Sequence, residues 1–299
     1  MPIVSIRHRT SYRYRRPVGF GEHRMMLRPL EAHDQRLLSF ELDVSPQPAL
    51  LREVHDATDA IMSLARFGRR AAELTIVSQA TVEHTPRSPL DLVAPDAFVG
   101  DDLYDSDERV ALSHAMQRRP LDDGALEAWA RRFLRPVGRT HAATWLGDVT
   151  NAIRSELDYE VRLKGEPQHP LATLQRGRGS CRDFAVLMIE AARSLGFAAR
   201  FASGYVYGPT SSRTRGHTHA WARIYLPGGG WTDYDPTNGF IGGDNLIRTA
   251  VGIDSSLTVP LHGSYRGRSS DFLAMEVEID LAVEEARQPA EHLRVGARG

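Results

Sequence analysis

The 299-residue chain contains very little cysteine and lysine: one of each, Cys181 and Lys164. A single cysteine excludes an intrachain disulfide and any cysteine-rich zinc site, and it fits a reducing compartment. No apolar run approaches the roughly 20 residues needed to cross a bilayer. The first ten residues also lack the apolar stretch of a signal peptide. We therefore expect a cytoplasmic protein that does not associate with a membrane.

An excess of charge of either sign is missing too. The chain carries 37 basic and 38 acidic side chains, for a formal net charge of −1. This balance gives no electrostatic reason to expect a nucleic-acid partner. Hydrophobic residues make up 41% and charged residues 25% of the chain, as is ordinary for a globular protein. The length allows two domains, each with its own core.

The first part of the chain, residues 1–86, has the pattern of β-strands. Apolar and polar residues alternate in several short stretches separated by turn residues, which predicts half-buried antiparallel strands. Residues 50–65 fit either a helix or a pair of strands. A proline-rich and then acidic stretch, 87–120, has the composition of a linker. The predicted N-terminal unit is therefore a β-rich, sandwich-like domain.

The second part of the chain combines helices and strands. Apolar spacing predicts helices at residues 122–133, 142–157 and 180–195, and strands at 199–207, 217–226, 231–234 and 272–283. The helix at 180–195 is apolar around most of its circumference, so it should be central and buried. We expect a catalytic core over 121–245, C-terminal strands over 246–285, and a tail over 286–299.

Cys181 is the first candidate functional residue. A lone cysteine is usually a small buried hydrophobe, but this one stands at the predicted start of the buried helix. The helix dipole and the free N–H groups there favour a thiolate, and the same N–H groups can stabilise an oxyanion. Ser180 and Asp183 have the spacing of a capping box. We assign Asp183 to capping and loop anchoring, because a carboxylate in the first turn opposes thiolate formation.

Candidates for a base and an orienting carboxylate lie further along, on predicted strands. His217, His219 and Trp221 would share one face of a strand, and a histidine beside a cysteine can act as its base. Either Asp233 or Asp235 has suitable spacing to orient that histidine. His217, His219 and Asp235 could alternatively bind a metal, although no further protein ligand is evident.

Four stretches together resemble the transglutaminase-like superfamily, whose core is related to papain-type cysteine proteases. The matching stretches are residues 179–185 (Gly-Ser-Cys-Arg-Asp-Phe-Ala), 199–205 (Ala-Arg-Phe-Ala-Ser-Gly-Tyr), 219–227 (His-Ala-Trp-Ala-Arg-Ile-Tyr-Leu-Pro) and 230–239 (Gly-Trp-Thr-Asp-Tyr-Asp-Pro-Thr-Asn-Gly). Residues 8–29 and 250–267 also resemble the flanking regions of bacterial members, so the resemblance covers nearly the whole chain.

The resemblance implies a catalytic triad of Cys181, His219 and Asp235. It favours Asp235 over Asp233 because the family's aspartate stands before Pro-Thr. One departure is Arg182, since the animal cross-linking enzymes have tryptophan directly after the nucleophile. The backbone N–H of Cys181 is the expected oxyanion donor, and residues 166–173 and 207–216 are expected to flank the cleft.

The fold implied by the resemblance is α+β. An N-terminal antiparallel β-sandwich-like domain would precede a papain/transglutaminase-like core, in which the nucleophile helix packs on an antiparallel sheet. The implied function is acyl transfer from peptide or side-chain amides, with hydrolysis expected, transamidation to an amine as the alternative, and a non-catalytic binding module as a further one. The expected partner is a peptide or protein substrate, and the chemistry requires no cofactor or metal. The sequence gives no indication of the oligomeric state.

Overall fold

The computed structural model of the chain describes residues 2–56, 58, 60–85, 93–100, 102–119, 124–162, 165–208 and 214–285. The α-helices are α1 (Ser106–Met116), α2 (Ala125–Arg131), α3 (Ala142–Glu156), α4 (Pro170–Arg176) and α5 (Cys181–Ser194). The strands are β1 (Pro2–Phe20), β2 (His23–Met25), β3 (Gln35–Ser45), β4 (Leu50–His55), β5 (Ile61–Arg66), β6 (Ala71–His84), β7 (Asp158–Tyr159), β8 (Arg178–Gly179), β9 (Ala199–Val206), β10 (Thr214–Arg215), β11 (Thr218–Leu226), β12 (Gly230–Asp235), β13 (Phe240–Ile241), β14 (Leu246–Gly252), β15 (Leu261–His262), β16 (Tyr265–Arg266) and β17 (Phe272–Glu285).

Two antiparallel sheets form the N-terminal β region. A six-stranded sheet has the order β10-β17-β1-β6-β3, with β16 paired to the far end of β1, and a four-stranded sheet has the order β15-β2-β5-β4. Strands β4 and β5 pair over six residue positions. The ambiguous stretch 50–65 is therefore a pair of strands. The last described strand, β17, pairs with β1 along most of its length, so both ends of the described chain lie in the same sheet.

The long strands β1 and β6 contribute to two hydrophobic cores. Near the start of β1, Val4 and Ile6 pack with Tyr205 and Ile247 of the neighbouring sheet. Near its end, Phe20 belongs to a second cluster with residues of the four-stranded sheet. Alternating side chains on a strand point to opposite faces, and the apolar face of β1 is the buried one. The N-terminal sheet therefore lies directly against the sheet that contains β9 and β14.

The second half of the chain is built around α5 and a five-stranded antiparallel sheet. This sheet has the order β13-β12-β11-β9-β14. Every residue of α5 is buried except Arg182, as the apolar pattern predicted. The helix ends before Gly196, whose φ of +89° is a left-handed conformation that glycine adopts without strain. The fold is α+β, with the predicted nucleophile helix packed on an antiparallel sheet.

Two helices were not predicted. Helix α1 lies within 87–120, the stretch with the composition of a linker; Asp105 caps it by accepting from the N–H groups of Asp107 and Glu108. Only Leu112 and Ala115 of this helix are buried. With so few buried positions, its sequence has only a weak apolar pattern. Helix α4 is only seven residues long, too short for a clear periodicity. Among the described residues, no helix is both long and apolar enough to cross a membrane.

Two buried histidines link the N-terminal sheet to β9 and to the residue just beyond it. His8 Nδ1 lies 3.0 Å from the hydroxyl of Tyr205, and His84 Nδ1 lies 2.7 Å from that of Tyr207. Burial disfavours the charged imidazolium, so the pKa of His8 is lowered to about 4. Burial is also the main reason why the pKa of His84 is lowered to about 4. Both side chains are therefore neutral in the folded protein near neutral pH.

We expect these histidines to make the fold less stable in mild acid. In the unfolded chain a histidine binds a proton near pH 6.5, whereas in the folded protein His8 and His84 bind one only near pH 4. The unfolded state thus binds more protons in this window, and stability falls by up to about 1.4 kcal/mol per pH unit for each histidine. Urea unfolding at pH 7, 6 and 5 measures this slope. In the double variant His8→Gln/His84→Gln, the free energy of unfolding should change less with pH than in the native protein. The control variant at an exposed site, His217→Gln, should have the same slope as the native protein. Equal slopes in all three proteins would refute the prediction.

Candidate active site

Cys181 is the first residue of α5. Its N–H belongs to the first turn, whose donors have no acceptor within the helix. The preceding residue, Ser180, is the N-cap, and its N–H and hydroxyl donate to Asp183 Oδ2 over 2.7 and 2.8 Å. The Cys181 side chain is only 9% exposed. The helix start is therefore fixed on both sides of the thiol.

Asp183 anchors the chain that borders the site. Its carboxylate is fully buried and accepts from the N–H of Gln168 (2.6 Å) and from Gln168 Nε2 (3.1 Å), and it pairs with Arg162. Burial raises the pKa of Asp183, but the hydrogen bonds from Gln168 and Ser180 outweigh it and hold the pKa below its usual value. Gly179 is needed here, because a Cβ would lie 2.8 Å from the Asp183 Cβ. These contacts agree with the capping and anchoring assignment.

His219 and Asp235 form a direct pair. His219 Nε2 lies 2.8 Å from Asp235 Oδ2. Oδ1 of Asp235 accepts from the N–H groups of Thr237 (3.0 Å) and Asn238 (3.3 Å). Asn238 Nδ2 also donates to Oδ2 over 2.7 Å. Both oxygens of this fully buried carboxylate are thus surrounded by donors. Sequence reasoning missed Asn238, because its local pattern indicates only the turn after Asp235.

The Cys181 side chain lies close enough to His219 to raise the pKa of this imidazole. Because Nε2 is occupied by Asp235, the nitrogen left for the thiol is Nδ1. Burial lowers the pKa of His219, but the charge and hydrogen bond of Asp235 and the contact with Cys181 outweigh it and raise the pKa to about 10. For Asp235, burial raises the pKa, and the charge and hydrogen bond of His219 bring it below its usual value. The structure thus brings all three predicted residues together and favours an imidazolium.

The other candidates do not join this group. Asp233 accepts from Trp221 Nε1 over 2.8 Å rather than from His219. His217 is exposed and precedes the first residue of β11. Within the described ranges, no three His, Cys, Asp or Glu side chains are arranged to hold a metal ion. Of the predicted cleft borders, 166–173 lies beside Cys181 through the contacts of Gln168, whereas much of 207–216 falls outside the described residues.

Tyr159 is a further residue near the site that the sequence did not single out. Strand β7 pairs in parallel with β8, which places Tyr159 opposite Gly179, two residues before Cys181. Its ring lies 6.4 Å from that of Phe184 and is 51% exposed. Burial of the ring, followed by the negative charges of Cys181 and Asp235, raises the pKa of Tyr159. A half-exposed aromatic side chain therefore lies at the mouth of the site.

Comparison with known proteins identifies the family of this chain. Residues 4–83 match the bacterial transglutaminase-like N-terminal region, and residues 131–236 match the core of the transglutaminase-like superfamily. The chain belongs to the transglutaminase-like superfamily. The second match contains Cys181, His219 and Asp235, and the first covers strands β2 to β5 and most of β1 and β6 in this transglutaminase-like protein.

Three similar proteins extend this comparison. An uncharacterised protein of Mycobacterium leprae is 37% identical over 130 residues, which are 42% of this chain and 46% of that protein. One of Mycobacterium tuberculosis is 26% identical over 300 residues, covering 92% of this chain and 91% of the relative. A crystal structure from Cytophaga hutchinsonii, described as a candidate cysteine protease, has a TM-score of 0.69 at 19% identity and covers 96% of this chain and 92% of its own. That structure shares the fold of this transglutaminase-like protein.

The pairing of Cys181 with His219 predicts fast alkylation at low pH. Iodoacetamide reacts with the thiolate, and a positive charge at His219 attracts that negatively charged sulfur. We expect iodoacetamide to modify Cys181 at pH 6 about tenfold faster or more in the native protein than in His219→Ala. The matched control is His217→Ala, which should react like the native protein. Equal rates in the native protein and His219→Ala would contradict the pairing; intact-mass spectrometry over time measures all three.

Proposed function

We propose that this protein is a thiol acyl-transfer enzyme that cleaves peptide or side-chain amides, with water as the usual acceptor. The observation that carries the proposal is the buried contact of 2.8 Å between His219 and Asp235, with Cys181 at the start of α5 and close enough to raise the pKa of the same imidazole. A nucleophile, a base held by a third group and a helix N-terminus beside the nucleophile are the parts that acyl transfer requires.

In the first half-reaction, the Cys181 thiolate attacks the carbonyl carbon of the amide. The negative charge moves to the carbonyl oxygen, which would accept a hydrogen bond from the backbone N–H of Cys181. The imidazolium of His219 gives its Nδ1 proton to the nitrogen of the leaving amine as the C–N bond breaks. The products of this step are a free amine and a thioester at Cys181.

In the second half-reaction, the neutral His219 takes a proton from water as the water oxygen attacks the thioester carbon. The C–S bond breaks, which releases a carboxylic acid and restores the thiolate and imidazolium. Asp235 accepts from Nε2 throughout, so it keeps Nδ1 facing the sulfur and stabilises the positive charge. A primary amine in place of water would give a new amide by the same steps.

Hydrolysis is preferred over transamidation because of the residue directly after the nucleophile. Transamidation needs an acceptor site that excludes water. At the position of the animal enzymes' tryptophan, Arg182 donates to the carbonyls of Arg162 and Gly165 over 2.7 and 2.9 Å. Its guanidinium is thus held by the backbone of these two residues. We extend the proposal to a peptide or protein substrate; the cytoplasmic location stays a prediction.

The test is a library of peptides and simple amides, incubated with the native protein or with Cys181→Ala, with and without added primary amines. Mass spectrometry of the products separates hydrolysis, which adds water, from amine incorporation. We expect carboxylic acid products that depend on Cys181 and change little when amines are present. Amine adducts as the main product would favour transamidation. Binding without turnover by the native protein, or equal turnover by Cys181→Ala, would refute the proposal.

A further inference from the structure

A network of buried polar side chains connects the N-terminal region to His219 and Asp235. The mechanism does not use these side chains. The members of the network are Asp34, Arg248, Asp233 and Trp221. Arg248 is 1% exposed and lies between two carboxylates: Nη1 donates to Asp233 Oδ2 over 2.7 Å, and Nη2 donates to Asp34. Buried charges of this kind are costly unless they are paired. This network is therefore a specific arrangement, unlike charged side chains on a solvated surface.

The N-terminal segment holds the backbone of Arg248 as well as its side chain. The N–H of Leu30 and the Nε2 of Gln35 both donate to the Arg248 carbonyl, over 2.8 and 2.9 Å. The Arg248 N–H donates to Gln35 Oε1 over 3.0 Å. Thus the segment 30–35, which lies inside the match to the bacterial N-terminal region, fixes one residue of β14 from three sides.

The other end of this network of side chains lies beside His219. Asp233 receives Trp221 Nε1 over 2.8 Å. The rings of Trp221 and His219 are nearly parallel, at an interplanar angle of 24° and a centroid distance of 6.0 Å. Trp221 stands two residues after His219 on β11, and Asp233 two residues before Asp235 on β12. The Trp221–Asp233 pair therefore lies directly beside the His219–Asp235 pair, since residues i and i+2 share a strand face.

We propose that Asp34 and the segment 30–35 are positioning elements of the active site: through Arg248 and Asp233 they set the Trp221 indole against which the His219 ring lies. The N-terminal domain would then be needed for turnover without touching the substrate. This inference rests on the proposed function for its kinetic readout. Its chemical readout, the alkylation of Cys181, needs no substrate.

The test uses Asp34→Asn, which keeps the shape and one acceptor but removes the charge. We expect kcat and the alkylation rate at pH 6 to fall about 3- to 30-fold, the range for a residue that acts through a chain of contacts, with KM unchanged. Trp221→Phe keeps a ring but removes the Nε1 donor and should have the same effect. The double variant should be less than additive, because both changes interrupt one network.

The matched control is Asp271→Asn. Asp271 is also a buried carboxylate paired with an arginine, Arg16 of β1, at 2.8 Å, and its other partner is the N–H of Arg268 rather than a residue of β11 or β12. It should lower stability without changing alkylation or kcat. If Asp34→Asn does not fold, Trp221→Phe decides alone.

Unchanged alkylation and kcat in a folded Asp34→Asn or Trp221→Phe would overturn the inference. So would a fall of equal size in Asp271→Asn. Failure of the proposed function gives a different result: no amide is turned over by the native protein, while the alkylation rates still separate the variants.

Discussion

Replacing Asp235 by asparagine will lower kcat/KM for amide cleavage by about 10³- to 10⁴-fold, the loss expected when a triad carboxylate becomes an amide and reverses the histidine tautomer. The surroundings of Asp235 explain why an amide cannot substitute. Oδ1 faces the N–H groups of Thr237 and Asn238, while Oδ2 faces His219 and the Asn238 amide. If the oxygen of the new amide takes the position of Oδ1, its NH₂ group faces the donors that contacted Oδ2. If the amide is turned around, its NH₂ group faces the donors that contacted Oδ1.

The measurement compares kcat/KM and far-UV circular dichroism of the native protein, Asp235→Asn and Asp233→Asn. Asp233 is the matched carboxylate on the same strand, bonded to Trp221 and Arg248 rather than to His219. Its replacement should cost much less activity than that of Asp235. A folded Asp235→Asn with activity within tenfold of the native protein would show that His219 does not depend on this carboxylate.

Replacing Arg193 by methionine will lower the free energy of unfolding by about 3–5 kcal/mol, the cost of breaking a buried ion pair by removing one partner. The guanidinium is 4% exposed and donates to Glu190 Oε1 over 2.8 Å. It also donates to the carbonyls of Ala115, Ala199 and Ile253 over 2.8 to 3.0 Å. Methionine fills much of the volume but leaves these acceptors without their donor.

Urea unfolding at pH 7 measures the effect. The control is Arg132→Met, the same substitution in an exposed pair with Glu156, which should change stability by less than about 1 kcal/mol. Adding Glu190→Met to Arg193→Met should restore part of the loss, because it removes a buried carboxylate that would keep only the longer contacts with Arg119, at 3.8 Å from its Nε and 3.3 Å from its N–H. A single-site loss below about 1 kcal/mol would mean that water replaces the arginine at this position.

The sequence predicted the features that depend on neighbouring residues. Helix α5 carries its own apolar pattern, cap and terminating glycine, so its limits were predicted to within one residue. Strands β9, β11 and β12 likewise follow from local alternation. The choice of Asp235 over Asp233 needed the family resemblance, because strand spacing alone allowed both. In the structure, only Asp235 contacts His219.

The features that escaped prediction join residues far apart in the chain. Arg248 meets Asp34 and Gln35, which are more than 200 positions away. No local periodicity records such a contact, and a lone arginine on a strand is usually a solvated side chain. Tyr159 is similar, since only the parallel pairing of β7 with β8 brings it near Cys181. Long-range pairing decides these positions, and the local pattern of a single sequence does not record it.

The pairing of β17 with β1 has a consequence for synthesis on the ribosome. When the chain has emerged as far as β14, all three triad residues have been made, yet the β1 edge that β17 covers still has unpaired N–H and C=O groups. An open strand edge of this length invites pairing with other chains, and contacts between such distant segments form slowly. Completion of the N-terminal sheet, and with it a protected fold, must therefore wait until translation has passed residue 285.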